Sequence, residues 1–323
     1  MAPDSATGMP AISSALFGTP PPRKVDVPLI DVHTHARRHP ETRLLVEAAR
    51  RYGIERLVTI ASLDDCLWLK EEFPGEVLMA ATLVYDNRAD PDRFARDNIT
   101  LLERGAAAGL KVVKLWFKPS FNVDFGMKLD DPRLAPIFTC MGELGLVALA
   151  HIADPDVWWL KYYSDRNVYE TKEETYRQAE NVLARYPQVK FILAHLGGDP
   201  EHLDHLDRLL ATYPNLYLDT SATKWLVREL GKQQEAACQF FLRWNQRLLF
   251  GSDLVVRPGL PPDHYLSRYW VHQLFWETGI VCPSPIPDPD CEGTPMIRGL
   301  DLPAGVLRAI YHDNAVQVLG LEG

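Results

Sequence analysis

Eight short apolar, β-branched runs recur along this chain with amphipathic stretches between them. That alternation restricts the fold more than any other feature. The runs fall at 28–35, 56–62, 77–84, 111–117, 146–152, 191–196, 216–221 and 248–253. The intervening stretches include Glu41 to Tyr52, Pro91 to Ala108, Pro132 to Leu144, Tyr169 to Tyr186 and Pro200 to Tyr213. Strand patterns that alternate with helical ones make βαβ units and a parallel sheet. Eight units in 323 residues predict an α/β fold of one domain, a closed (β/α)8 TIM barrel. No GxGxxG follows the first run, which argues against a dinucleotide-binding sheet.

Two segments stand outside the alternation. Residues 1–25 end in Pro20-Pro21-Pro22 and are expected to form a flexible or surface-draped arm, leaving 26–323 as the barrel. Residues 256–303 carry Pro258, Pro261, Pro262, Pro283, Pro285, Pro287, Pro289 and Pro295. An insertion after the eighth strand is expected to lie over the C-terminal mouth of the barrel, with a helix from Tyr265 to Thr278 inside it. Ala304 to Leu319 reads as the closing helix. In Gly197-Gly198-Asp199-Pro200, Asp199 is the expected N-cap of the next helix.

The formal net charge of -9 argues against general binding to nucleic acid or to an anionic membrane, but leaves an anionic small molecule open. Five scattered cysteines without a CxxC fit reduced thiols in a cytoplasmic protein. No apolar run is long enough to span a bilayer, and the start lacks the pattern of a secretory signal. A homodimer is the expected assembly.

The chemistry-bearing residues gather at the ends of the apolar runs. In Asp31-Val32-His33-Thr34-His35, strand alternation turns His33 and His35 the same way. His151, His195 and Asp253 end later runs, and Lys114 lies on the fourth. In a barrel all these positions lie at the C-terminal face, where active sites form. Neutral imidazoles with a carboxylate suit a divalent cation, zinc first, with iron and manganese less specifically. His202 and His205, on a helical stretch, read as surface or packing residues. Lys114 reads either as a contact for substrate or as the partner of a buried carboxylate, Asp31 or Asp253.

The chain resembles the amidohydrolase superfamily. It is most similar to the amidohydrolase-related branch of aminocarboxymuconate-semialdehyde-type decarboxylases and lactone-type hydrolases. The matching segments are DVHTH (31–35), KLWFKP (114–119), LAHIADP (149–155), FILAHLGG (191–198), LYLDTSA (216–222), LLFGSDL (248–254) and HDNAVQVLGL (312–321). The resemblance implies one metal, with His33, His35 and His151 as its ligands and Asp253 as a further ligand or as the base for water. It implies His195 as the residue that polarises substrate or moves a proton. Lys114, Trp158, Lys224 and Arg257 are the candidate substrate-binding residues, and Asp219, Ser221 and Arg228 follow the seventh strand beside them.

The expected function is metal-dependent hydrolysis of a small amide, lactone or related carbonyl compound, in which acidified water attacks the carbonyl. The alternative is non-oxidative decarboxylation of an unsaturated or aromatic acid with the same ligands. Decarboxylases of this kind often carry Asp-Tyr-Pro after the last strand, where this chain has Asp253-Leu254-Val255. A ligand-binding barrel without turnover is the third reading.

Overall fold

A computed structural model describes residues 16–322. Nine parallel strands form one sheet: β1 (Leu29–His35), β2 (Ile54–Ala61), β3 (Val77–Thr82), β4 (Val112–Trp116), β5 (Val147–His151), β6 (Phe191–Leu193), β7 (Leu216–Asp219), β8 (Leu248–Leu249) and β9 (Leu254–Val255). Their spatial order is β8-β7-β6-β5-β4-β3-β2-β1-β9. The eighth run is not one strand. It pairs with β7 through β8, breaks at 250–253, and resumes against β1 as β9. Val32 N donates to Phe250 O across the break at 2.9 Å, so the sheet closes on itself. The molecule is a TIM-type α/β barrel.

The helices that cover it are α1 (Thr42–Arg51), α2 (Leu63–Glu72), α3 (Pro91–Ala107), α4 (Pro119–Phe125), α5 (Ala135–Glu143), α6 (Asp156–Lys161), α7 (Lys172–Arg185), α8 (Leu203–Thr212), α9 (Thr223–Gly231), α10 (Gln234–Trp244) and α11 (Pro262–Glu277), followed by α12 (Ala304–Arg308) and α13 (Asn314–Leu319). Among these described residues no helix is long and apolar enough to cross a membrane.

The core has two layers. One fills the barrel: Val58, Ile60, Ala80, Val112, Leu149, Ile192 and Leu249, with Ala315, Val318 and Leu319 of α13 packed against them. The other lies between strands and helices. Lys114 and His151 follow Val112 and Leu149 by two residues, so they continue the inward face towards the mouth. On β1 both Ile30 and Val32 belong to the inner layer. The register against β2 then slips by one residue between Asp31 and Thr34. This β-bulge lets His33 and His35 face inward after Val32, while Asp31 reaches Tyr269 of α11.

The described part of the N-terminal arm lies against α1 and α11. Phe17 O accepts from Tyr52 at 2.8 Å, its ring meets Trp270 edge-on, and Pro21 O accepts from Gln273. Residues 1–15 of the expected arm fall outside the described residues. The proline-rich segment has two parts. Its helix, α11, packs beside α1 and α9 as a wall element. The hairpin β10 (Val281–Pro283) with β11 (Met296–Arg298) carries a loop back to the mouth. The cysteines within the described residues are free.

Asp199 is not the N-cap of the next helix, where His202 stands instead. The stretch His195–Gly198 takes left-handed backbone angles at all four residues, with φ of 60°, 50°, 68° and 77°. That turn delays α8 to Leu203 and buries Asp199, whose carboxylate meets Lys172 at 2.7 Å and His205 at 2.7 Å.

Candidate active site at the barrel mouth

Asp253 sits in the break between β8 and β9. Its N–H donates to His33 O at 2.8 Å, and its φ of 58° is left-handed, a conformation that costs a non-glycine residue energy. The turn brings its carboxylate to the two imidazoles of β1. Oδ1 lies 3.1 Å from His35 Nε2 and 3.5 Å from His33 Nε2. Nitrogen and oxygen donors about 2.0–2.2 Å from a tetrahedral zinc lie about 3.4 Å apart, so the three residues fit a single small divalent cation.

The protonation states suit the same role. Burial pushes His35 down to about 4 against the opposing pull of Asp253, so the imidazole is neutral at neutral pH. Burial alone would raise Asp253, but its hydrogen bond to His35 and the histidines around it hold it well below the usual carboxylate range. Neutral imidazoles and an ionised carboxylate are the forms that ligate metal.

A second layer fixes these rings. Asp219, at the end of β7, accepts from His33 Nδ1 at 2.8 Å, which leaves His33 Nε2 as the unprotonated nitrogen. Burial would raise Asp219, yet His33 keeps it below the usual range. The Ser221 hydroxyl donates to Asp219 Oδ1 and lies 2.7 Å from His195 Nδ1. With its hydrogen committed to Asp219, that oxygen accepts from His195 Nδ1–H and leaves His195 Nε2 as a proton acceptor. His195 N also donates to Asp219 Oδ1 at 2.8 Å, and burial holds the ring down to about 3. Asp31 binds the break from the other side, accepting from Ser252 N at 3.0 Å, Ser252 Oγ at 2.6 Å and Tyr269 at 3.0 Å.

One expected ligand lies apart from the trio, and Lys114 lies against it. His151 Nε2 meets Asp154 Oδ1 at 2.9 Å, and the ring packs edge-on against His195 at 4.8 Å rather than joining His33, His35 and Asp253. Lys114 is fully buried, with Nζ 3.1 Å from His33 Nε2 and 4.8 Å from the Trp116 ring centre. It pairs with neither Asp31 nor Asp253, and burial lowers it to about 8 despite the charges of Asp253 and Asp219. Beside Asp253 opens a cavity of about 370 Å³, lined by Asp253, Trp158, Lys224, Arg257, His264 and Arg268 among others. Three of the four expected substrate contacts therefore line it, and Lys114 does not. Trp158 is held there by Asp290 of the returning loop, at 2.8 Å. Arg228 points to Glu229 and Asp288 instead.

Asp219, Ser221 and Asp31 are the positions that sequence placed least well. Polar residues closing an apolar strand in LYLDTSA were the available signal, but their partners lie on other strands. His202 and His205 lie apart, beside a larger concavity of about 760 Å³. There Lys172 already bridges Asp156 and Asp199, so a cation of the chain occupies the acidic cluster.

No curated protein matches the sequence. Among solved structures, the 5-carboxyvanillate decarboxylase of Sphingomonas paucimobilis is similar, with 13% identity, 92% of this chain and 100% of that one covered, and a TM-score of 0.55. The dihydroorotase of Campylobacter jejuni is 14% identical over 92% of this chain and 84% of that one, with a TM-score of 0.56. The 4-oxalomesaconate hydratase of Rhodopseudomonas palustris is 15% identical over 90% and 95%, with a TM-score of 0.52. These likenesses describe the fold. The Amidohydrolase family model matches residues 30–321, which takes in both histidines of β1, Asp253 and the strands between, and so this chain belongs to the amidohydrolase family.

Proposed function

We propose that this protein is a metal-dependent hydrolase of a small carbonyl compound, an amide, a lactone or a close relative. The observation that carries the reading is the Asp253 carboxylate, which lines an open cavity and is held against two inward imidazoles behind it. His33, His35 and Asp253 would hold one divalent cation, zinc first and manganese next. His151 would serve as the fourth donor in this reading only by giving up its Asp154 hydrogen bond. When bound, such a cation polarises a carbonyl and makes water acidic near neutral pH.

The chain's own groups do the rest. Asp253 accepts the proton of the attacking water. His195 Nε2, with its other nitrogen tied to Ser221, holds or passes on a proton at the carbonyl side. Trp158 and the cations of the rim orient the substrate. Asp219 and Ser221 keep His33 and His195 in the required tautomers. The reading includes a cytoplasmic homodimer, which light scattering after gel filtration checks.

Decarboxylation is the second reading. It is favoured by the cations that line the cavity and by the carboxylated substrate named for the similar Sphingomonas structure. Purification without chelator should give one equivalent of divalent metal per chain by elemental analysis. Hydrolysis of at least one lactone, ester or amide in a panel is expected, and Asp253→Asn should lower that rate at least about 100-fold. Release of carbon dioxide from an acid, with no hydrolytic activity on any panel member, would replace the first reading by the second. Metal-free protein that gains neither activity nor stability with zinc or manganese would leave only ligand binding.

A further inference from the structure

Three cations meet the mouth cavity without a carboxylate partner. Lys224 lies in the first turn of α9, Arg257 follows β9 and Arg268 lies on α11. All three line the space above Asp253. Among the described residues, none of them has an Asp or Glu oxygen within 4.0 Å. Arg228, one turn beyond Lys224 on the same helix, is treated differently: Glu229 at 2.6 Å and Asp288 neutralise it. The fold therefore pairs a cation just outside the cavity and leaves unpaired those that face it.

Arg268 is the most constrained of the three. Its guanidinium is half-buried and donates to His264 O at 2.7 Å and Ser267 Oγ at 3.4 Å, both neutral acceptors. Burial lowers it to about 10. The neighbouring His264 is held down to about 4, by burial first and then by the Arg268 and Arg257 charges. The wall is thus positive, with a neutral imidazole. A cation removed from water without a counter-charge is costly, and an anion arriving from solution recovers that cost. A planar guanidinium matches a carboxylate with two parallel hydrogen bonds, and two flanking cations strengthen the match.

We propose that the cavity selects substrates bearing a carboxylate remote from the reacting carbonyl, with Arg268 as the principal anchor and Lys224 and Arg257 beside it. The proposal rests on the mouth cavity being the substrate site of the hydrolase reading. Anchoring at the α11 wall leaves the other end of the substrate over Asp253. A volume of about 370 Å³ admits a molecule the size of a single ring with two carboxylates. Neutral analogues of the same shape lose the anchor and leave Arg268 unpaired.

Isophthalate and its neutral isostere isophthalamide, titrated by calorimetry into the zinc-loaded protein, test this. Isophthalate should bind saturably and at least about tenfold more tightly than isophthalamide. Arg268→Gln should weaken isophthalate about tenfold or more, Arg268→Lys should recover part of the loss, and thermal midpoints report that both variants are folded. If Arg268→Gln does not fold, Lys224→Gln supplies the same comparison with a loss of a few-fold. Absence of saturable isophthalate binding, equal affinity for the two probes, or unchanged affinity in the glutamine variant overturns the proposal. Asp253→Asn separates it from the hydrolase reading. Arg268-dependent isophthalate binding together with undiminished turnover in Asp253→Asn would sink the reading and keep the anchor. Arg268-independent binding together with lost turnover would do the reverse.

Discussion

Asp219 decides which nitrogen of His33 is free. Its carboxylate accepts from Nδ1–H, so Nε2 is the unprotonated nitrogen, with Lys114 Nζ at 3.1 Å and Asp253 Oδ1 at 3.5 Å. Asp219→Asn replaces that acceptor by a group that can also present an N–H, and the fixed tautomer is lost. Zinc affinity, measured by competition with a chromophoric chelator, should fall about 10–100-fold. An affinity equal to that of the unsubstituted chain would show that the Asp219–His33 pair merely packs. Sequence made His33 and His35 legible because two imidazoles at alternate positions of an apolar strand leave few other roles. Asp219 was not legible in the same way. An Asp at a strand end caps turns as readily as it supports a ligand, and its partner lies 186 residues away.

At the scale of elements, a turn and a bulge position the site. The left-handed run His195–Gly198 presents His195 and then folds the chain tightly against the loop after β5. A Cβ on Gly198 would lie 2.1 Å from Ala153 O, at a φ of 77° that an L-residue resists. Gly198→Ala should therefore cost more than about 2 kcal/mol and lower the thermal midpoint markedly. A midpoint within error of the parent would mean the turn relaxes freely. The bulge in β1 is the second such device, and a bulge has no signature in alternation alone.

Helix α11 supplies a pH-dependent term to stability. His272 accepts from Trp276 Nε1 at Nδ1 and lies 2.9 Å from Thr223 Oγ1 through Nε2, so the ring is neutral with both nitrogens used. Burial holds it down to about 3, below its ordinary value of 6.5. The unfolded chain thus binds more protons than the folded one between these values. The contribution is fully present above pH 6.5 and is lost as pH falls through that window, by up to about 1.4 kcal/mol per pH unit. The thermal midpoint should drop between about pH 7 and pH 5, and His272→Gln should shrink that drop. Identical drops in the two proteins would remove His272 from the acid response.

For the whole molecule, the candidate cation site joins the ends of the barrel. His33 and His35 stand on the first strand, and Asp253 stands in the interrupted last one, which β9 stitches to β1. A cation bound to all three would resist the opening of that seam. Zinc at 100 times its dissociation constant should stabilise the protein by about 2.7 kcal/mol and raise the thermal midpoint, and a chelator should reverse the gain. No shift with zinc or manganese would speak against a shared ion at the seam. The N-terminal arm bears on the same region, since Phe17 packs on Trp270 of α11 and Pro21 ties to Gln273.

The sequence by itself determined the barrel and the position of the imidazoles and Asp253 at its C-terminal face. Hydrophobic alternation is local, and eight repeats of it admit few folds. Only the tertiary structure decided how the eighth strand breaks, how β1 re-aims its histidines, why His151 turns to Asp154, and why Arg228 is neutralised while Arg268 is not. These outcomes depend on which polar groups meet once distant segments are packed. Burial makes each such pairing consequential, because an unmet charge or hydrogen bond is costly away from water, yet nothing in the order of residues along the chain states the partner.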